Sequence, residues 1–244
     1  MYYFFAPIMT YNFILIAAAV IPAAFLLFWV YRADHLEKES PAILWRLVVA
    51  GVLSSLIAMV LERVLGLLLN ITVSSASPLY NVILYFVIVA FSEEGAKYFV
   101  LWKRTWRSIE FDCQYDGVVY AVFVSLGFGI WENISYVLMY GFSTAIVRAV
   151  TAIPGHACFG VFMGVFYALA KKYQMRREDA LSVFFRILSV VIPALLHGAY
   201  DYIATTEKAG NSWYFIVFIV ILFGISFILV GRMSKKDRYF SKTP

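Results

Sequence analysis

The sequence predicts an all-α membrane protein, a bundle of about seven transmembrane helices, on three observations. Of the 244 residues 63% are hydrophobic and 14% are charged, with a mean hydropathy of +0.81, the balance of a chain solvated by lipid. The apolar residues come in runs of roughly 20 or more, the length a helix needs to cross ~30 Å of hydrocarbon at ~1.5 Å per residue. None of the runs alternates as an outer-membrane strand would, which leaves the helix as the spanning structure that satisfies its own backbone.

The runs fall at about 12–31, 42–69, 79–102, 117–140, 146–170, 181–204 and 212–231; eight spans are the alternative count. Span one follows Met1-Tyr2-Tyr3-Phe4-Phe5, with no basic n-region or small-residue cleavage site, and reads as a retained span. Span two carries Arg46 near its start, where a long side chain snorkels to the interface. Glu62 and Arg63, near its far end, read as a local interfacial pair. Span three holds Ser92-Glu93-Glu94-Gly95-Ala96-Lys97 and span four holds Phe128-Gly129-Ile130-Trp131-Glu132-Asn133. Span five carries Pro154-Gly155-His156. Span six carries Arg186, another snorkelling position, then Pro193 and His197-Gly198-Ala199-Tyr200-Asp201. Span seven leads into a basic tail. The connections are short and polar, so residues 1–244 read as a single integral membrane domain without a linker.

The net charge of +5 and pI near 9.1 do not point to nucleic acid, because the basic residues cluster in short loops. Loops one, three and five and the C-terminal tail carry fourteen of them, Lys242 included, against Arg148 and Lys208 on the other side. The positive-inside rule then places the N-terminus outside and the C-terminus in the cytoplasm. His35 lies in a charged loop and reads as solvated. Cys113 and Cys158 have no pairable spacing, so neither a disulfide framework nor a zinc cluster is implied.

An ionisable group in the bilayer costs at least ~2.5 kcal/mol on insertion scales and therefore faces a protein interior or a cavity. Four consecutive spans carry such groups, and together they predict one polar cavity. Glu93 and Lys97 are one helical turn apart and pair, while Glu94, about 100° round, leaves one carboxyl free to look elsewhere. His197 and Asp201 also share a helix face. Counting from the span ends puts Glu132, His156 and His197 in the outer half of the bilayer and Glu93 roughly two turns deeper. Gly95, Gly129, Gly155 and Gly198 permit close helix approach. Pro154 and Pro193 either shape the site or only kink their helices.

A carboxylate beside an imidazole in low dielectric acts as general base on water and then as acid to a leaving amine. A second histidine with Asn or Asp nearby supports an oxyanion. These parts fit acyl hydrolysis, although Ser92 and Cys158 lack a nucleophile's context and HExxH is absent.

The set Glu93-Glu94-Gly95-Ala96-Lys97 (EExxK), Phe128 to Glu132 with Asn133 (FxxxEN), His156 and His197 to Asp201 (HxxxD) resembles the PrsW family of bacterial intramembrane proteases. That family is related to the prenyl endopeptidases and bacteriocin-processing membrane proteases, with their EExxxR, FxxxH and HxxxN motifs. The resemblance covers about 79–202, and the catalytic core it implies is spans three to six, about 79–204. It implies a multi-pass protein of the bacterial cell membrane that makes the site-one cut in a single-span anti-sigma factor on its extracytoplasmic side, starting the release of a sigma factor. By position, Glu93 matches the water-activating glutamate and Glu94 the second motif carboxyl, while His197 and Asp201 match the oxyanion-supporting pair. Glu132 stands where the relatives have a histidine, which leaves His156 to supply an imidazole. Lys97, Asn133 and Phe128 are supporting residues, Lys97 one place earlier than the relatives' arginine. The leading expectation is a glutamic-type, metal-independent endopeptidase. Alternatives are a zinc-dependent protease with Glu94, Glu132, His156 and His197 as ligands, and a proton-coupled transporter or channel using the same groups as a relay, which the absence of an internal repeat disfavours.

Overall fold

The computed structural model describes residues 2–206 and 212–240; Lys208 and Lys242, which entered the charge count, lie outside the described residues. Among the described residues, seven helical crossings are long and apolar enough to span a bilayer. The first two are α1 (Tyr2–Ala33) and α2 (Pro41–Thr72). The third joins α3 (Pro78–Val82), a π-helical segment (Ile83–Val89) and α4 (Ala90–Thr105). The fourth is α5 (Asp116–Tyr140), and the fifth joins α6 (Phe142–Val150) and α7 (Ala152–Met175). The last two are α8 (Asp179–Thr206) and α9 (Ser212–Lys235). The all-helical bundle and the count of seven are as the sequence predicts. Starts are marked chemically: Ser40 before Pro41 accepts from Ile43 N at 3.4 Å, and Ser77 before Pro78 accepts from Leu79 N at 3.3 Å, each an N-cap followed by a proline that lacks only an orphan N–H.

Two features differ from the seven simple helices expected. Span three contains the π-helical turn, whose i→i+5 bonding fits more residues into each turn and so advances less per residue. Span five is two helices. Gly141, at φ +84, turns the chain out of α5 in a conformation glycine reaches without strain, and Thr151, at φ −120 and ψ −70, breaks α6 from α7. Pro154 therefore sits in the first turn of α7 and removes no helical hydrogen bond there, whereas Pro193 lies inside α8.

Helix α5 is the axis of the bundle, buried along Asp116–Gly129 between α2 and α7. Missing side chains allow this: a Cβ on Gly51 of α2 would lie 2.1 Å from the Val124 carbonyl oxygen, and one on Gly127 of α5 2.3 Å from that of Val48. Backbones that close gain dispersion contacts, the main force between helices in lipid. Of the four glycines flanking the polar motifs, Gly129 and Gly198 are packed this tightly, at 2.7 Å from His156 and from Phe86. Gly95 and Gly155 are not, since a Cβ would meet nothing within 4 Å at the first and only an ordinary 3.6 Å contact at the second.

The basic end of the bundle is closed by the tail. Gln114 N donates to Arg238 O, Phe240 N to Asp112 O, and Tyr115 N to Asp237 Oδ1. Arg186 donates to Tyr98 Oη at 3.1 Å and lies over the Trp102 and Trp106 rings at that end; Arg46 and His35 are exposed, as expected. Both cysteines are free. Glu39, just ahead of α2, is buried with Oε2 2.7 Å from Tyr120 Oη, which lies 2.9 Å from the Glu110 carbonyl oxygen. One hydroxyl proton serves two acceptors poorly, whereas a protonated Glu39 donates to Oη and leaves the tyrosine proton to Glu110. Burial pushes the Glu39 carboxyl up to about 7, outweighing its hydrogen bonds to Tyr120 and Asp116. Because the folded value lies above the ordinary 4.5, this contribution to stability is complete below the ordinary value and is lost as pH rises through the folded one. Thermal unfolding should show Tm falling between about pH 5 and about pH 8, and Glu39→Gln should flatten that fall and stand a few degrees higher at the alkaline end.

Candidate active site

Helix α4 places Glu93, Glu94 and Lys97 on one side at i, i+1 and i+4, which α-helical geometry turns into a cluster. The Lys97 ammonium is fully buried and spends its three N–H bonds on three acceptors: Glu94 Oε1 at 2.7 Å, His156 Nδ1 at 3.2 Å and Glu93 Oε2 at 3.3 Å. The face of Phe128, 4.1 Å away, closes the fourth side. The carboxyl held most tightly is thus Glu94, where the spacing alone pointed to a Glu93–Lys97 pair. Glu93, still in reach of the amine, turns to a cavity.

Because the ammonium is a donor only, His156 must accept at Nδ1 and carry its proton on Nε2. That proton goes to Glu132 Oε2 at 2.7 Å. Glu132 is also paired with Arg148 at 2.9 Å, and Arg148 Nε donates to Asn133 Oδ1 at 2.9 Å. Asn133 in turn donates to Ala19 O of α1, so it anchors Arg148 and does not face the cavity. On the other side, Glu94 Oε1 accepts from His197 Nδ1 at 2.9 Å, and His197 Nε2 lies 3.4 Å from Asp201 Oδ2. Glu93 Oε2 is 3.8 Å from His197 Nδ1. The His197 ring stacks on Phe159 at 4.7 Å, which sets its orientation. One polar chain thus runs from Arg148 through Glu132, His156, Lys97, Glu94 and His197 to Asp201, across five helices.

A cavity of about 510 Å³ opens beside this chain, lined by Glu93, Glu132, Arg148, His197, Asp201, Phe128 and, from α2, Ser55, Met59 and Glu62. Glu94, Lys97 and His156 lie behind its wall. All six sequence-predicted site residues and Lys97 are therefore brought together, but in two layers: Glu93, Glu132, His197 and Asp201 reach the cavity, Glu94 and His156 hold it in shape. The expected two-turn offset of Glu93 is not seen, and the π-helical turn ahead of it accounts for part of the difference by drawing Glu93 towards the Pro78 end. Glu62 and Arg63 do not form the expected pair; no ion pair joins them among the described residues. Neighbours in sequence point about 100° apart on a helix, and Glu62 follows Ser55 and Met59 onto the cavity face. Glu62 and Arg148 are the charged cavity residues that sequence reasoning missed. The signal was present, since both are ionisable groups next to apolar runs, but a plausible neighbour or a loop assignment had explained each away.

The family model described as "PrsW family intramembrane metalloprotease" matches residues 39–225. The chain belongs to the PrsW family. It is accordingly a peptidase of the membrane and a multi-pass protein, and membership decides against the transporter. Among PrsW relatives, "Protease PrsW" of Bacillus subtilis is 34% identical over 230 residues, covering 93% of this chain and 96% of the relative. Those of Geobacillus kaustophilus and Halalkalibacterium halodurans are 34% and 30% identical, covering 86% and 93% of this chain and 88% and 100% of the relatives. No solved structure matches.

The PrsW description implies a metal, and the donor types are suitable: Glu93, Glu94 and His156 offer ligand atoms within 4.8 Å of one another. The four-residue zinc set expected from the sequence does not gather in this way among the described residues, where only Glu94 and His156 of it belong to the gathered trio. The three gathered donors already share a cation, the Lys97 ammonium, at 2.7 to 3.3 Å. A divalent ion there would sit against a buried like charge carried on the same helix as two of its ligands. While Lys97 is protonated and in place, the donor set does not fit a metal.

Proposed function

We propose that this chain is a glutamic-type, metal-independent endopeptidase that cuts a single-span anti-sigma factor on its extracytoplasmic side, as the first step of regulated intramembrane proteolysis. The observation that carries the mechanism is the division of labour on α4: Lys97 neutralises the buried Glu94, and Glu93 is presented to the cavity 3.8 Å from His197. Glu93 takes a proton from a water whose oxygen attacks the scissile carbonyl carbon. The oxyanion that forms is stabilised by the imidazolium of His197, whose Nδ1–H is held by Glu94 at 2.9 Å and whose Nε2–H, 3.4 Å from Asp201, is the donor to it. The intermediate then collapses, the C–N bond breaks, and the leaving nitrogen takes the proton back from Glu93. The side of the membrane is supported by the cavity lying at the end of the bundle away from Lys103, Arg104 and Arg107. The anti-sigma substrate is supported by the motif resemblance.

The test is cleavage of single-span reporters, an anti-sigma factor among them, by the full chain in liposomes, with and without a strong zinc chelator. The chelated enzyme is expected to cut at the untreated rate. Cutting that is lost on chelation and returns with zinc would overturn metal independence, and release of product fragments only from the cytoplasmic side would overturn the orientation.

A further inference from the structure

The cavity holds more carboxyl groups than its chemistry uses. Four line it, those of Glu62, Glu93, Glu132 and Asp201, beside the guanidinium of Arg148 and the imidazole of His197. Three of the four are accounted for: Glu93 by Lys97, Glu132 by Arg148 and His156, and Asp201 by His197. Glu62 has no hydrogen bond or ion pair among the described residues. It lies within a membrane-spanning helix, where an ionisable group without a partner is costly and is retained for a ligand or pathway.

Its position says what it meets. Ser55, Met59 and Glu62 recur at helical spacing on the cavity face of α2. Glu62 also lines a second hollow, of about 650 Å³, with Met59, Val60, Arg63 and Val64. It therefore stands at the threshold between the cavity and the outer flank of α2. Helices α2 and α5 are clasped where Gly51 meets the Val124 backbone and Gly127 that of Val48. Beyond Ala58, α2 is exposed on most of its surface as far as Leu68. The threshold thus faces the bilayer, the side from which a membrane-spanning substrate arrives.

We propose that Glu62 is a specificity-determining residue that pairs with a lysine or arginine side chain of the substrate, on the segment that leads from its span to the scissile bond. This rests on the protease reading above. A long cationic side chain can run its methylenes along Met59 and reach the carboxylate from an apolar span. The pairing satisfies the one cavity carboxyl that has no hydrogen bond or ion pair among the described residues and holds the peptide bond in register over Glu93 and His197.

The test is a family of single-span reporters carrying Lys, Gln or Glu in turn at each position around the cut, assayed with the full chain in liposomes. At one position the wild type should prefer Lys over Gln by about tenfold in kcat/KM, mostly through KM. In Glu62→Gln the Lys-to-Gln ratio should collapse towards one, and Glu62→Lys should move the preference to the Glu reporter, a reversal that a purely structural role cannot produce. Equal ratios in wild type and Glu62→Gln, with no reversal in Glu62→Lys, would overturn the proposal while leaving the protease intact. A wild type that cuts no reporter would bring down the protease reading, and this inference with it.

Discussion

Glu93→Gln, reconstituted with a single-span reporter that the wild type cuts, is expected to lose about 10³-fold or more in kcat, with KM changed little. Glutamine keeps the size of the side chain and can still accept from Lys97, so the fold has no reason to suffer. It cannot take a proton from water, and general-base catalysis is commonly worth 10² to 10⁴-fold. Glu94→Gln should behave differently. Glu94 lies behind the cavity wall, fully buried between Lys97 and His197, and its loss leaves the ammonium short of its closest partner. Its defect should show as lower stability together with lower activity. Equal kcat losses at Glu93 and Glu94 with unchanged thermal stability in both would contradict the division between a working carboxyl and a supporting one.

Lys97→Met is expected to be the most destabilising single change in the site, by about 3–5 kcal/mol, the range seen when one partner of a buried ion pair is removed. The cost is high because one ammonium serves three acceptors. Without it Glu94, whose Oε2 already has no hydrogen-bond partner, would keep only His197, and His156 would lose the donor that fixes its proton on Nε2. Thermal unfolding in detergent measures the loss. The double variant Lys97→Met with Glu94→Gln should recover part of it, since neutralising the orphaned carboxyl removes most of the penalty, and the double-mutant cycle should report strong coupling. Additive losses would mean that the ammonium does not hold Glu94. Lys97→Met also frees the donor trio of Glu93, Glu94 and His156. Zinc should then raise Tm of the variant and leave that of the wild type unmoved, which tests directly whether the ammonium is what keeps a metal out.

Much of this site could be read along the chain because lipid makes polar residues conspicuous. Glu93, Glu94, Lys97, Glu132, His156, His197 and Asp201 stand out against hydrocarbon at a cost that demands a shared interior. Helical spacing then put Lys97 within reach of the carboxyls and Asp201 beside His197. What spacing could not do was choose between the two carboxyls, because Glu93 at i−4 and Glu94 at i−3 are both good partners for one amine. The choice came from α7 and α8: His197 Nδ1 reaches Glu94, His156 Nδ1 takes the third ammonium bond, and Glu93 is left to the cavity. The roles of Glu62 and Arg148 were lost for a related reason. Each had a ready local explanation, and only the packing of α2 and α6 against α5, which brings both residues to one cavity, removed it.

The sequence by itself determined the solvent, the seven helical crossings and the set of polar groups that had to meet, because each follows from the free energy of a residue in hydrocarbon and from helical periodicity. The tertiary structure alone decided which groups face the cavity, which proton His156 carries, and that an ammonium sits among the three donors that would otherwise suit a metal. Those outcomes depend on ångström distances between helices far apart in the chain. They are set by the glycine contacts at Gly51, Gly127 and Gly129, the π-helical turn before Glu93 and the break at Thr151, where backbone packing, rather than the local pattern, fixes the register of one helix against the next.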